Sequence, residues 1–176
     1  MENTTKWVLD PTHSELLFKV KHLMISNVKG EFRKFSAVIG GADFTTAPVS
    51  VTIDTASIFT NEDNRDGHLR SGDFFDVENH KEITFVSSAF TKSGDDYKLT
   101  GALTIKGITN NVTLDVEFGG TNKDPWGNEK AAFAVSGKIN RKDWGLNWNA
   151  ALETGGVLVS EEVRINAELQ FVKQNG

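Results

Sequence analysis

A chain of 176 residues with a formal net charge of −5 is long enough for one self-supporting core. It carries no basic excess of the kind that nucleic acid or an anionic membrane recruits. Cysteine is absent, which rules out disulfides, thiolate metal sites and a cysteine nucleophile. The first residues show neither a basic n-region nor an apolar h-region, and no apolar run approaches the roughly 18–20 residues of a membrane helix. The sequence as written is therefore expected in the cytoplasm, without stable membrane insertion, or in the periplasm if a signal has been removed.

Taken in chain order, the apolar residues recur with period two, which in a strand puts one row inside and one in water. Leu16, Phe18, Val20, His22 and Met24 form the first row. A second strand runs over Val28–Phe44, and its phase slips between Phe32 and Phe35, as a bulge would cause. Val49, Val51 and Ile53 form the third, and Glu82–Phe90 the fourth, less regular. Tyr97, Leu99, Gly101, Leu103 and Ile105 make the fifth, ended by the turn pair Lys106-Gly107. Val112 to Phe118, Phe133 to Ile139 and Val163 to Phe171 complete eight strands, with no linker or repeat between them. Two stretches break the rule. Residues 60–80 read as a polar helix or long loop, with Thr60 or Asn61 as candidate N-cap. Residues 140–148 are too short and mixed for a strand. The pattern fits a closed barrel or a two-sheet sandwich, and eight long strands favour closure because it removes exposed edges.

The inward rows name the candidate lining: Phe18, Val20, Val51, Ile53, Phe85, Leu99, Leu103, Val116, Val135, Ile139, Ile165 and Leu169. Such rows more often pack a solid core than line a cavity. The histidines at 13, 22, 68 and 80 show no metal-ligand spacing, and no nucleophile elbow, P-loop or dinucleotide fingerprint is present. Neither a metal nor a cofactor is implied. His22 shares the phase of Phe18 and Val20, which makes it a buried, hydrogen-bonded histidine or a contact for a ligand head group. Arg65-Asp66-Gly67-His68, next to Leu69, Phe74 and Phe75, is either an internal ion pair that fixes the insertion or a mouth that meets a polar head. Arg141 faces the same choice, and Trp144 with Leu146 is a candidate lid.

In order and spacing the segments resemble the YceI-like family of lipocalin-like, polyisoprenoid-binding proteins. The resemblance is carried by Trp7-Val-Leu-Asp-Pro-Thr-His-Ser14, Phe18-Lys-Val-Lys-His22, Val28-Lys-Gly-Glu-Phe32 and Arg65-Asp-Gly-His-Leu-Arg-Ser-Gly-Asp-Phe-Phe-Asp76. Ile83-Thr-Phe-Val-Ser87, Leu99-Thr-Gly-Ala-Leu-Thr-Ile-Lys-Gly-Ile-Thr109, Ile139-Asn-Arg-Lys-Asp-Trp-Gly-Leu146 and Glu162-Val-Arg-Ile165 continue it over nearly the whole chain. Where many members have a proline before the Ile-x-Phe strand, this chain has Lys81-Glu82.

The resemblance implies one all-β domain: an extended eight-stranded antiparallel lipocalin-like barrel with short helical insertions near residues 60–80 and 140–148. It further implies a non-enzymatic carrier of a long-chain isoprenoid, quinone or fatty-acid-derived lipid, a homodimer, and a link to stress. On this reading the small inward residues Gly101, Gly137 and Ala167 leave room for a tunnel, and about 0.8 kcal/mol per buried CH₂ supplies the affinity. The rivals are an enzyme acting on a lipid held in the same barrel, with His22, His68 or Arg141 as working groups, and a packed barrel used only for protein interaction.

Overall fold

Among the described residues the alternating rows form eleven β-strands joined in one antiparallel sheet. The computed structural model describes residues 5–22, 26–149 and 159–174, with the His22 side chain excepted. The strands are β1 (Lys6–Leu9), β2 (Glu15–His22), β3 (Ser26–Phe32), β4 (Phe35–Ile39), β5 (Val49–Asp54) and β6 (Ile58–Phe59). They continue with β7 (Glu82–Ser93), β8 (Asp96–Ile105), β9 (Ile108–Lys123), β10 (Glu129–Asn140) and β11 (Val159–Gln174). Strand order runs β1-β4-β5-β7-β8-β9-β10-β11 and returns to β1, so the sheet closes into an eight-membered barrel.

Eleven segments make eight strand lines because three lines are broken, between β1 and β2, β3 and β4, and β5 and β6. The C-terminal half of β11 pairs with β1 (Leu9 opposite Phe171) and its N-terminal half with β2 (Phe18 opposite Ile165). Between β1 and β2 a 3₁₀ turn, Pro11–His13, interrupts the ladder. Asp10 builds that corner by accepting from the Thr12 amide (3.1 Å) and the Thr12 hydroxyl (2.7 Å). The His13 imidazole (2.8 Å) and the Lys130 ammonium (3.3 Å) sit on its other oxygen. The Thr12 hydroxyl, opposed by burial and helped by His13 and Lys130, holds the Asp10 carboxyl well below the usual carboxylate range. The Ser14 hydroxyl then stands in for a missing backbone partner, accepting from the Gln170 amide at 2.9 Å. The second break, at Arg33-Lys34 between β3 and β4, is where the apolar phase slips. At the β8–β9 hairpin, Lys106 and Gly107 both adopt positive φ (53° and 76°), as a two-residue type I′ turn requires.

The barrel interior divides in two. At the β1 end it is solid: the turn after β4 folds inward and Phe44 stacks on Phe118 (4.7 Å between ring centroids) and Phe133 (5.3 Å). Phe171 meets Phe133 edge-on at 5.8 Å, and the Trp7 indole donates to the Ala42 carbonyl at 3.0 Å. At the other end β3 pairs with β6 only through Glu31 and Phe32, and the residues after β6 cross over the barrel. They include helix α1 (Asp63–Arg70), whose N-cap is Glu62, accepting from the amides of Asn64 and Arg65. The cap is thus neither Thr60 nor Asn61. Asn61 instead takes a left-handed φ of 63° that turns the chain into the helix. Thr60 gives its amide and hydroxyl to the buried Asp66 carboxylate. Arg70 ties the last turn to the carbonyls of Ala56 and Ile58, both at 3.1 Å.

Candidate functional site

A cavity of about 450 Å³ occupies the half of the barrel beneath α1, within the range of roughly 300–1,000 Å³ usual for small-molecule sites. Its walls are apolar side chains from the inward rows. β2 gives Leu16, Phe18 and Val20, β3 gives Val28 and Phe32, and β5 and β7 give Ile53 and Ile83. Leu103, Ile105, Ile139, Val163 and Ile165 complete the ring, and Asn64, Arg65, His68, Leu69, Phe74, Phe75, Leu146 and Trp148 roof it. These rows face inward because the pleat alternates and the closed ladder fixes which parity is inside.

Of the expected lining, Phe18, Val20, Ile53, Leu103, Ile139 and Ile165 border this cavity. Val51, Phe85, Leu99, Val116, Val135 and Leu169 do not: they belong to the apolar packing of the barrel and its solid half. The rows continue inward there, but the aromatic rings have taken the space. The expected tunnel through Gly101, Gly137 and Ala167 is absent for the same reason. A Cβ on Gly101 would lie 2.6 Å from the tip of the Phe85 ring and 2.8 Å from the Ser87 Cα. A Cβ on Gly137 would lie 2.5 Å from Leu114 Cδ2. Gly101 makes room for the Val86 carbonyl and the Ser87 backbone as well as the Phe85 ring, and Gly137 for the Leu114 side chain, rather than for a ligand. Ala167 is itself buried in this packing. The His22 side chain, expected at the inner face, lies outside the described residues.

The polar candidates separate by what already occupies them. Arg141 is 3 % exposed, and its guanidinium is spent on four backbone carbonyls. Nε donates to Ser160 (2.9 Å), Nη1 to Leu146 (2.5 Å) and Trp148 (2.9 Å), and Nη2 to Val159 (3.3 Å). Burial pulls its pKa below the ordinary arginine value, partly countered by the Glu161 charge, and the group stays protonated at any physiological pH. It borders the cavity as a clamp that joins the start of β11 to the segment after β10. Trp144 is a wedge rather than a lid. β9 pairs β10 only from Asp115 onward, so the two strands splay beyond that point. The buried indole fills the splay and donates to the Leu103 carbonyl at 2.8 Å, while Asn110 donates to the Asp143 carbonyl at 2.7 Å. Leu146, its expected companion, does reach the cavity.

Arg65 and His68 remain. Arg65 points across α1 to Thr60, with Nε on the hydroxyl (2.8 Å) and Nη2 on the carbonyl (2.7 Å). Its Nη1 has no hydrogen-bond partner among the described residues. The expected pair with Asp66 is not formed, because that carboxylate is taken by Thr60. His68 shares a proton with Asp73 at 2.9 Å and sets its ring edge-to-face with Trp148 (4.6 Å) and Phe74 (5.2 Å). Besides these two, Lys21 and Arg141 line the cavity, and no carboxylate does among the described residues. Trp148 and Lys21 are among the lining residues that the sequence reading missed. Trp148 lies outside the alternation, and only the fold sets it against His68.

The architecture has known counterparts. The YceI-like domain profile matches residues 7–171. A UPF0312 protein of Staphylococcus aureus (strain MSSA476) is 46% identical over 170 residues, covering 95% of this chain and 97% of that protein. The crystal structure of Burkholderia cenocepacia BcnA superposes with a TM-score of 0.79 at 27% identity, over 92% of this chain and 98% of that one. A polyisoprenoid binding domain from Saccharophagus degradans superposes with a TM-score of 0.69 at 19% identity, over 98% and 100% of the two chains. With the same closed barrel, and a profile match that spans it from β1 into β11, the chain belongs to the YceI-like family.

Proposed function

We propose that this protein binds one amphiphilic lipid, an isoprenoid or comparable single chain, with its tail in the cavity and its head near Arg65 and His68. The observation that carries the reading is the cavity itself: a largely apolar space inside the barrel, with its polar lining residues few and confined to Lys21, Asn64, Arg65, His68 and Arg141 among the charged and amide side chains. A tail entering it leaves water at a gain of about 0.8 kcal/mol per CH₂, so no directed contact along its length is needed. The spare Nη1 of Arg65 offers a donor to an oxygen-bearing head group, and the His68 nitrogen not engaged by Asp73 offers a further polar contact. The Saccharophagus degradans domain, a polyisoprenoid binding domain of the same fold, supports the ligand class.

Binding rather than catalysis is favoured by the state of the polar groups. Arg141 is committed to carbonyls, and among the described residues no hydroxyl or carboxylate side chain lines the space beside His68 to serve as nucleophile or second acid–base group. Mass spectrometry of an organic extract from natively purified protein tests the reading. A stoichiometric single-chain lipid is expected; its absence, together with no uptake of added prenyl alcohols or fatty acids, refutes it.

A further inference from the structure

We infer that the outer wall of β2, β3, β10 and β11 docks this protein, cavity end first, on an anionic lipid bilayer. The lipid-binding reading above supplies only the reason a barrel would meet a bilayer; the surface itself follows from the ladder register. Lys29 stands directly opposite Lys19, Lys19 opposite Arg164, and Arg164 opposite Lys138. Four strands thus set four cations in one row on the outer face, across about 14 Å at the usual strand spacing of about 4.8 Å. Lys29, Arg164 and Lys138 are exposed and Lys19 half-buried. In chain order the four are scattered, so no basic run announces them. Their neighbours of opposite parity, Phe18, Val20, Ile139 and Val163 among them, line the cavity, so the row is the outside of the cavity wall. Lys21 extends it toward the end of β2.

Such a row is costly to keep, because like charges directly opposite on a ladder repel. Glu162 reaches it, at 3.9 Å from Lys138 and 3.4 Å from Arg164. Among the described residues no carboxylate forms an ion pair with Lys19, Lys21 or Lys29. Four residues further along the same strands, about 14 Å away, the sign reverses. There Glu15 stands opposite Glu168, and Ala134 lies between Glu168 and Glu117. Asp115, one row nearer, is answered by Lys98. The wall is therefore polarised along the barrel, positive beside the cavity and negative beside the solid half. A chain of net charge −5 is repelled by an anionic surface in most orientations, but this wall turns the cavity toward it and the acidic band away. A planar anionic surface is the partner this polarity suits, since it rewards bringing one end of the barrel close and keeping the other distant.

Co-sedimentation with lipid vesicles tests this. Vesicles of phosphatidylcholine with phosphatidylglycerol should carry the protein down at low salt, and vesicles of phosphatidylcholine alone should not. Raising the salt to about 1 M, where the Debye length is about 3 Å, should release it. Lys19→Gln combined with Lys29→Gln should weaken the vesicle Kd about 30-fold, the equivalent of about 2 kcal/mol for two cations at an anionic surface. This pair relieves repulsion in the ladder, so the fold is not at risk. Lys92→Gln combined with Lys123→Gln makes the same change of net charge at the hairpins of the solid end. It should alter Kd by less than about twofold, since those charges lie beyond a Debye length of the surface. Equal pelleting with both kinds of vesicle, pelleting with neither, or the same loss in both double variants overturns the docking surface. So does a salt-sensitive dimer that Lys19→Gln with Lys29→Gln splits while vesicles stay unbound, which would give the row to a second copy. Uptake of a fatty-acid probe without vesicles tests the lipid reading separately. Docking without uptake removes that reading and keeps the surface, whereas uptake without docking removes the surface alone.

Discussion

Arg141 offers the sharpest test of the structure, because one side chain carries four backbone acceptors and none of them is acidic. Replacing it with methionine keeps the apolar stem and removes every donor. The Leu146 carbonyl, met at 2.5 Å in a buried position, then loses its partner outright. The carbonyls of Ser160, Trp148 and Val159 are partly buried and recover some hydration. A buried polar group left unsatisfied costs about 1–3 kcal/mol. Relief from burying a cation offsets part of the total, so Arg141→Met, with one carbonyl fully orphaned and three partly so, should lose about 2–4 kcal/mol. For a chain of this size that lowers Tm by about 10 °C. Urea unfolding is the assay: the midpoint should fall with little change in slope. Arg141→Lys, a single point charge in place of a planar fork, should recover no more than half of the loss. If Arg141→Met stays within about 0.5 kcal/mol of the parent, as an ordinary surface substitution does, the clamp reading is wrong.

Asp10 makes stability depend on acid. Its folded pKa lies below the ordinary value of 3.8, so its contribution is fully present above that value and is lost as pH falls below it; thermal melts should show the parent's advantage over Asp10→Asn shrinking between pH 5 and about pH 2. Two glycines should respond in opposite ways to alanine. At Gly101 the new Cβ meets the Ser87 backbone as well as Phe85, which should destabilise by about 1–3 kcal/mol in urea titration. At Gly30 it meets only the end of the Phe18 ring, which can swing into the cavity, so stability should change little while uptake of a fatty-acid probe falls. Trp144→Phe removes the donor to Leu103 and should cost about 1–2 kcal/mol with uptake of a fatty-acid probe unchanged; a loss of uptake in the folded variant would place Trp144 on the ligand path.

Much of the barrel is legible in the chain because it follows from local rules. Alternation in β8, β10 and β11 depends only on each strand's own residues, and Lys106-Gly107 carries its turn type in two positions. Even the slip between Phe32 and Phe35 marks the break that separates β3 from β4. The site is less legible, because its parts meet across strands. Whether Gly101 opens a tunnel is decided by the Val86 carbonyl and the Phe85 ring on the neighbouring strand, and Gly137 by Leu114. Arg65 reads as the partner of Asp66, but the turn at Asn61 brings Thr60 to both of them. Arg141 finds its acceptors as far away as Val159 and Ser160, and Trp144 its acceptor on Leu103. The sequence by itself thus determined the strands, the inward rows and the family, since side-chain parity is a property of a single strand. Only the tertiary structure decided which part of the interior is filled and which is open, because empty space depends on register and on side chains contributed by neighbours distant in the chain.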